Sequence, residues 1–290
     1  MNRTISQIIT AKTTTEGEGF IVHRSFPNYR VADFDPFLLL DEMGPIELSA
    51  GEVKGAPDHP HRGFETVTYV IDGAFEHKDS QGNSGKLFSG DVQWMTAGSG
   101  VIHSEMPETE FAQKGGKLHG FQLWVNLPKK DKMIKPRYQD IASSKIPIAQ
   151  SDDGKARVKV IAGESMGKQA VIDTKTSIMY LHFTLQQDVK VTQKVPKEYN
   201  AFAYVAEGEG LFGKEQYPVH KEQAVFFERD GDEIAIATTN ATKPLDVLLL
   251  AGIPLGEPVA RYGPFVMNTQ EELKQAILDY QSGKMGKIDF

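Results

Sequence analysis

The sequence of 290 residues contains no cysteine, so disulfide bonds, thiolate metal ligands and cysteine nucleophiles are all excluded. Any bound metal must therefore be held by His, Asp or Glu. No stretch approaches the ~20 consecutive apolar residues that a transmembrane helix requires, and the first twenty residues lack the continuous apolar core of a signal peptide. We therefore expect no membrane association and a cytoplasmic location, or also a nuclear one if the source is a eukaryote.

The chain also lacks an excess of positive charge. Lys and Arg together number 32 against 39 Asp and Glu, which gives a formal net charge of −7. A general nucleic-acid-binding protein would show a basic face, so direct binding to nucleic acid is not expected, whereas a protein partner remains possible. The length is sufficient for two domains of ordinary size, and we expect a monomer.

Convincing helical patterns are nearly absent, and short apolar segments separated by Gly, Asp and Asn dominate the chain. Strands this short and this regularly spaced favour a sandwich or barrel over alternating β and α units. The predicted strands are residues 20–26, 37–43, 66–72, 91–97, 101–106, 121–127, 156–163, 178–185, 201–208, 224–231, 233–239 and 246–252.

One helix is predicted near the C-terminus. Thr269 and Glu272 have the spacing of a capping box, and Gly283 is placed to end the helix. The face expected to pack on a sheet consists of Leu273, Ala276, Ile277 and Tyr280.

A weak internal repeat indicates two copies of one β-rich unit. Residues 64–77 (FETVTYVIDGAFEH) resemble residues 199–213 (YNAFAYVAEGEGLFG), and residues 85–98 have a looser counterpart at 220–231. The Lys-, Pro- and Asp-rich stretch near 128–140 suits a boundary. We therefore predict an N-terminal domain of residues 1–130 and a C-terminal domain of residues 131–290.

The most informative residues are two pairs with a spacing of two. His59 and His61 form the first pair, and His103 and Glu105 form the second. Residues i and i+2 of a strand share a face, so two neighbouring strands could aim three imidazoles and one carboxylate at a single point. Such a donor set suits a divalent transition metal. The second copy has no histidine at the matching places, so only the first copy can form this site.

A second carboxylate competes for the role of ligand. Glu65 lies four residues after His61, and strand parity would also turn it inward, but Gly63 interrupts the strand and makes that parity unsafe. From the residues alone, either Glu65 or Glu105 could bind the metal, and the other could orient a ligand histidine.

The two motifs resemble those of the cupin superfamily, and more closely those of the pirin family. The resemblance rests on HPHRGFETV, GDVQWMTAGSGVIHSEMP, FQLWVNLP and GPFVMNTQEELKQAILDY, which together lie between residues 59 and 280. It implies an all-β bicupin of two antiparallel, jelly-roll-like β-barrels with a short C-terminal helix. Carried over by motif, the metal ligands are His59, His61, His103 and Glu105, which leaves Glu65 outside the ligand set.

The resemblance also implies a function. Pirins include quercetin 2,3-dioxygenases, which open a flavonol with O2 and release carbon monoxide. This activity implies a metal-dependent oxidoreductase with a flavonol substrate. A nearby carboxylate, Glu105 or else Glu65, is expected to take the proton of the substrate hydroxyl. The expected cofactor is one divalent transition metal, Fe(2+) first, with Ni, Cu, Mn or Zn as alternatives. The alternative function is a metal-dependent co-regulator that binds transcription factors or metabolic enzymes.

Overall fold

The computed structural model describes residues 1–17, 19–239 and 243–290. The first strands in chain order are β1 (Ile5–Thr10), β2 (Lys12–Glu16), β3 (Phe20–Phe26), β4 (Phe37–Leu48), β5 (Ala56–His61), β6 (Phe64–Asp72), β7 (Ala74–Asp79), β8 (Ser84–Phe88), β9 (Val92–Thr96), β10 (Val101–Pro107), β11 (Gly116–Asn126), β12 (Arg137–Ile141) and β13 (Ile148–Gln150). They are followed by β14 (Ala156–Ala162), β15 (Glu164–Ser165), β16 (Lys168–Gln169), β17 (Ile178–Leu185), β18 (Lys190–Lys194), β19 (Asn200–Glu207), β20 (Glu209–Phe212), β21 (Tyr217–His220), β22 (Gln223–Phe227), β23 (Glu233–Thr238), β24 (Leu245–Gly252), β25 (Ala260–Tyr262) and β26 (Phe265–Met267). The described helices are α1 (Thr109–Lys114) and α2 (Gln270–Gln281), with short 3-10 turns at Lys129–Asp131 and Ser143–Lys145.

The chain forms two compact units, each built from three segments. The histidine unit consists of Thr13–Pro27, Phe37–Ser143 and Leu255–Phe290, and the aliphatic unit consists of Met1–Lys12, Asn28–Pro36 and Ser144–Pro254. The domain boundary between residues 130 and 131, which rests on the sequence repeat, stays a prediction. The compact units are interleaved along the chain, and the C-terminal 36 residues belong to the unit that holds the histidine motifs.

Each unit contains one seven-stranded and one four-stranded sheet. In the histidine unit the orders are β12-β9-β6-β11-β4-β3-β2 and β5-β10-β7-β8. In the aliphatic unit they are β1-β22-β19-β24-β17-β14-β13 and β18-β23-β20-β21. The named pairings within these sheets are antiparallel, which confirms the all-β prediction. The sheets form jelly-roll-like sandwiches rather than closed barrels.

All twelve predicted strands correspond to observed ones, and β3 and β17 match the predicted bounds at both ends. Apolar side chains from both sheets of each unit meet in its core. The core of the aliphatic unit includes Val158, Phe183 and Leu249 from the seven-stranded sheet with Phe212 and Ile236 from the smaller one. Burial of such side chains is the main stabilising term in folding.

The C-terminal helix begins as predicted. Thr269 is the N-cap of α2, and its side chain and that of Glu272 form both hydrogen bonds of a capping box. The predicted buried face is wrong at its last position, because Tyr280 is 40% exposed and Asp279 is buried instead. Asp279 is buried because it binds the guanidinium of Arg62. Neither described helix is long and apolar enough to span a membrane.

Candidate metal centre

Two neighbouring strands bring the predicted histidines together. β5 and β10 pair antiparallel with His59 opposite His103, and His61 lies two residues after His59 on the same face. After His103 the register shifts so that Glu105 lies opposite Ala56, which leaves one additional residue on β5. β10 keeps a regular register with β7 through the same stretch. Glu105 therefore shares the face of His103.

The three imidazoles form a close cluster. Their potential ligand nitrogens all lie within 4.8 Å of one another, and the ring centroids are 4.4 Å apart for His59 and His103 and 4.9 Å apart for His61 and His103. His103 is fully buried, His61 is 3% exposed, and His59 is half-buried. Among the described residues, this is the only group of three or more possible ligands that could hold a metal ion.

Glu105 lies beside the cluster and is held at both oxygens. Its Oε2 atom is 3.7 Å from His103 Nε2. Thr68 Oγ1 donates to Glu105 Oε1 at 2.7 Å, and Gln122 Nε2 donates to Oε2 at 3.2 Å. Thr68 and Gln122 were not predicted from the sequence, since their relation to Glu105 follows from the register of strands that are far apart in the chain.

Glu65 has different surroundings. It is fully buried and accepts a hydrogen bond from Thr96 Oγ1 at 2.6 Å. Gly63 interrupts the strand as predicted: its φ is +88°, and a Cβ there would lie 1.9 Å from the carbonyl oxygen of Val266. Glu105 Oε2 lies 3.7 Å from a ring nitrogen of the cluster, whereas Glu65 is bonded by Thr96, and this difference favours Glu105 as the carboxylate ligand.

The protonation of the imidazoles suits a metal. His61 Nδ1 and both ring nitrogens of His103 are buried without a hydrogen-bond partner. Burial, followed by the neighbouring imidazoles, lowers the pKa of both residues well below the usual histidine value. The Nδ1 atom of His59 is 2.7 Å from the carbonyl oxygen of Pro57, so a proton on Nδ1 leaves Nε2 free to bind. Neutral imidazoles and one carboxylate fit a divalent transition metal.

The turn after His61 is anchored by hydrogen bonds from within the histidine unit, including one to its C-terminal segment. Arg62 donates from Nε to the carbonyl oxygen of Ser99 at 2.7 Å and from Nη1 to Asp279 Oδ2 at 2.8 Å. The buried Lys132 donates to the carbonyl oxygens of Gly63 at 2.8 Å and Val266 at 3.1 Å. These bonds fix the path of the chain immediately after the histidine pair.

A cavity of about 630 Å³ in the histidine unit reaches the cluster. Its wall includes His59, His61 and Glu105, and the Thr68 and Gln122 side chains that hold Glu105. The remaining wall is mainly apolar or aromatic and includes Phe20, Val22, Leu39, Met43, Phe75 and Trp124. Such a wall with a few convergent polar groups is typical of a small-molecule site.

Comparison with known proteins identifies the family. Residues 19–125 match the Pirin family model, and residues 180–286 match the model of the pirin C-terminal cupin domain. The chain belongs to the pirin family. A pirin-like protein of Solanum lycopersicum is 45% identical over 98% of this chain and 93% of its own length, and the pirin of Homo sapiens is 40% identical over 98% and 94%.

A solved structure extends the comparison to three dimensions. The crystal structure of quercetin 2,3-dioxygenase from Acinetobacter baumannii superposes with a TM-score of 0.93 at 37% identity and covers 100% of both chains. The pirin resemblance and the bicupin architecture predicted from the motifs are therefore confirmed. The fold and the histidine cluster support a divalent metal in this pirin-family chain.

The metal-free protein is expected to lose stability as the pH falls below about 6.5, the ordinary pKa of histidine in an unfolded chain. Because the pKa values of His61 and His103 are lowered in the folded state, the unfolded chain binds more protons in this range. The free energy of unfolding then decreases by up to about 3 kcal/mol per pH unit for two such groups. Urea unfolding at several pH values measures the slope, and His61→Leu should halve it. An equal slope in this variant would show that His61 does not contribute.

Proposed function

We propose that this chain is a metal-dependent dioxygenase that opens the central ring of flavonols such as quercetin with O2. The observation that carries the proposal is the cavity itself, because one wall presents His59, His61 and Glu105 and much of the remainder is apolar or aromatic. A flat aromatic substrate can pack against that wall with one hydroxyl group directed to the cluster. The likeness to quercetin 2,3-dioxygenase supports the same reading.

The proposed metal ligands are His59, His61, His103 and Glu105, with Fe(2+) as the expected ion. When bound, the metal supplies a Lewis acid that lowers the pKa of the substrate's 3-hydroxyl group. Iron, a monomeric state and a cytoplasmic location stay predictions.

The side chains of the cavity supply the other requirements. Glu105 lies where a carboxylate can accept the proton of the 3-hydroxyl group, and the hydrogen bonds from Thr68 and Gln122 hold it in one orientation. Apolar residues such as Leu39 and Phe75 exclude water from the reacting ring. Ring opening consumes one O2 for each flavonol, places both oxygen atoms in the ring-opened ester and releases one ring carbon as carbon monoxide.

Quercetin turnover tests the proposal. The iron-loaded protein is expected to consume quercetin, followed as loss of its near-visible absorbance, with release of carbon monoxide. The same assay with His61→Ala controls for autoxidation, since this variant lacks one of the proposed ligands. Quercetin loss at the same rate in both proteins would contradict the proposal and leave protein binding as the function to examine.

Comparison of two glutamate variants tests the choice of carboxylate. Glu105→Ala is expected to weaken metal binding about as much as loss of a histidine. Glu65→Ala should cost less, roughly the 10- to 100-fold typical of a residue that only orients a ligand. Competition with a chromophoric chelator ranks the two variants. If Glu65→Ala proves the more severe, the carboxylate comes from the first motif and the assignment of Glu105 is wrong.

A further inference from the structure

A row of polar side chains crosses six strands of the seven-stranded sheet in the histidine unit. Each member lies directly opposite the next in the pairing register, so all six share one face of the sheet. From β12 to β3 the row is Asp140, Gln93, Thr68, Gln122, Asp41 and Arg24. Its last four members line the cavity.

The aliphatic unit has a seven-stranded sheet of corresponding strand order, but the row of residues at the matching positions is apolar. Its strand order corresponds to that of the histidine unit one strand for one, and the sequence repeat aligns Tyr69 with Tyr204 and therefore Thr68 with Ala203. The corresponding row is Ile8, Val225, Ala203, Leu249, Leu181 and Val160. Ile8 packs against the hydrophobic core of that unit, and the other five belong to it. The sheet therefore folds without polar groups at these positions.

The end of the row on β3 and β4 carries the strongest contrast. Arg24 donates from Nε to Asp41 Oδ1 at 2.8 Å and from Nη2 to Asp41 Oδ2 at 2.6 Å, where the aliphatic unit has Val160 and Leu181. Removing such a pair of charges from water is costly, and apolar residues of similar volume often give equal or greater stability. The stability of the fold thus does not require this ion pair. Its position in the cavity wall suggests that it contacts a ligand instead.

The charges around the pair indicate the chemistry of the ligand. Arg24 also binds Glu16 at 2.7 Å, and Arg261, whose guanidinium lies 4.9 Å from the ring centre of Trp124, lines the same cavity. Apart from the proposed ligand Glu105, the carboxylates of Glu16, Asp41 and Asp58 outnumber the two guanidinium groups in the wall of this cavity, which disfavours an organic anion as the ligand. An ionised carboxylate has about four acceptor positions, so Asp41 can still accept from a hydroxyl group of the ligand.

We infer that Arg24 and Asp41 form a subsite for the hydroxyl groups of a neutral polyphenol ring and so determine specificity within the cavity. The inference rests on the proposed function, because it assumes a flavonol whose 3-hydroxyl group is directed to the histidine cluster. A flavonol with further ring hydroxyl groups would then bind more tightly than one with the 3-hydroxyl group alone.

Binding of two flavonols under nitrogen tests the subsite without ring opening. The purified protein is titrated with quercetin and with 3-hydroxyflavone, which lacks all other hydroxyl groups. Quercetin is expected to bind about 10- to 100-fold more tightly, the range of one charge-assisted hydrogen bond. Arg24→Val combined with Asp41→Leu, the pair present in the aliphatic unit, should abolish this preference and leave the affinity for 3-hydroxyflavone undiminished. Asp41→Asn, which preserves size, should reduce the preference if the double variant does not fold.

The subsite would be overturned if the wild type bound both flavonols with equal affinity or bound neither. It would also be overturned if the variants lost affinity for both flavonols equally. Oxygen uptake by the wild type, measured separately, distinguishes a failure of the subsite from a failure of the proposed dioxygenase function. Selective binding of quercetin without oxygen uptake would contradict the dioxygenase and retain the subsite. Turnover with an unchanged preference in the double variant would contradict the subsite and retain the dioxygenase.

Discussion

Replacement of His61 by alanine is expected to weaken metal binding by more than about 100-fold, because it removes a donor atom rather than a group that orients one. His61 is 3% exposed and belongs to the cluster whose nitrogens lie within 4.8 Å of one another. A water molecule that replaced the imidazole as a metal ligand would have limited access to this position and would bind the metal less strongly. Competition with a chromophoric chelator measures the affinity, and metal analysis of the purified variant measures the content.

His220→Ala provides the matched control for this loss. The side chain of His220 is 57% exposed and belongs to the aliphatic unit, where it lies 3.2 Å from Glu209. The same substitution there should leave metal content and affinity unchanged. Full metal content in His61→Ala would remove His61 from the ligand set, and equal losses in both variants would indicate a general effect on folding.

Asp279→Asn is expected to lower the free energy of unfolding by about 3 kcal/mol, because it leaves the guanidinium of Arg62 buried beside an uncharged partner. The side chains of Arg62 and Asp279 are 6% and 12% exposed, and their ion pair is 2.8 Å long. Since Arg62 follows His61 directly, the variant should also bind metal less tightly. Urea unfolding of the metal-free protein gives the stability, and chelator competition gives the affinity.

Asp289→Asn serves as the control for this variant. Asp289 pairs with Lys287 in the same C-terminal segment, but both side chains are at least 70% exposed. An exposed pair contributes about 0–1 kcal/mol, so stability and metal binding should change little. Equal effects of the two substitutions would show that the Arg62–Asp279 pair does not anchor the turn after His61.

Much of the fold could be predicted from local patterns, because many of the central strands are rich in β-branched, aromatic and other apolar residues. β17, for example, is bounded as its apolar run IMYLHFTL predicts. The segment APDHPH, which forms β5, is absent from the strands predicted by apolar pattern because two prolines interrupt it. Its histidines were found by their spacing instead, and β5 forms nonetheless beside β10.

The parts of the site that were missed depend on pairs that are distant in the sequence. Thr68 and Gln122 look like ordinary strand residues until the register of β6 and β11 places both beside Glu105. The burial of Asp279 in place of Tyr280 likewise depends on Arg62, a partner 217 residues away. Helical periodicity carries no information about such a distant partner. Likewise, the alternation of side chains along a strand carries no information about the register in which two strands pair.

Oxygen labelling tests the central claim most directly. Incubation of the metal-loaded protein with quercetin under oxygen-18 gas should give a ring-opened product that carries both labelled atoms, together with unlabelled carbon monoxide. A dioxygenase that cleaves the central ring requires this distribution, since the released carbon retains its own hydroxyl oxygen. Recovery of unchanged quercetin, or an unlabelled ring-opened product whose new oxygen atoms come from water, would contradict the account.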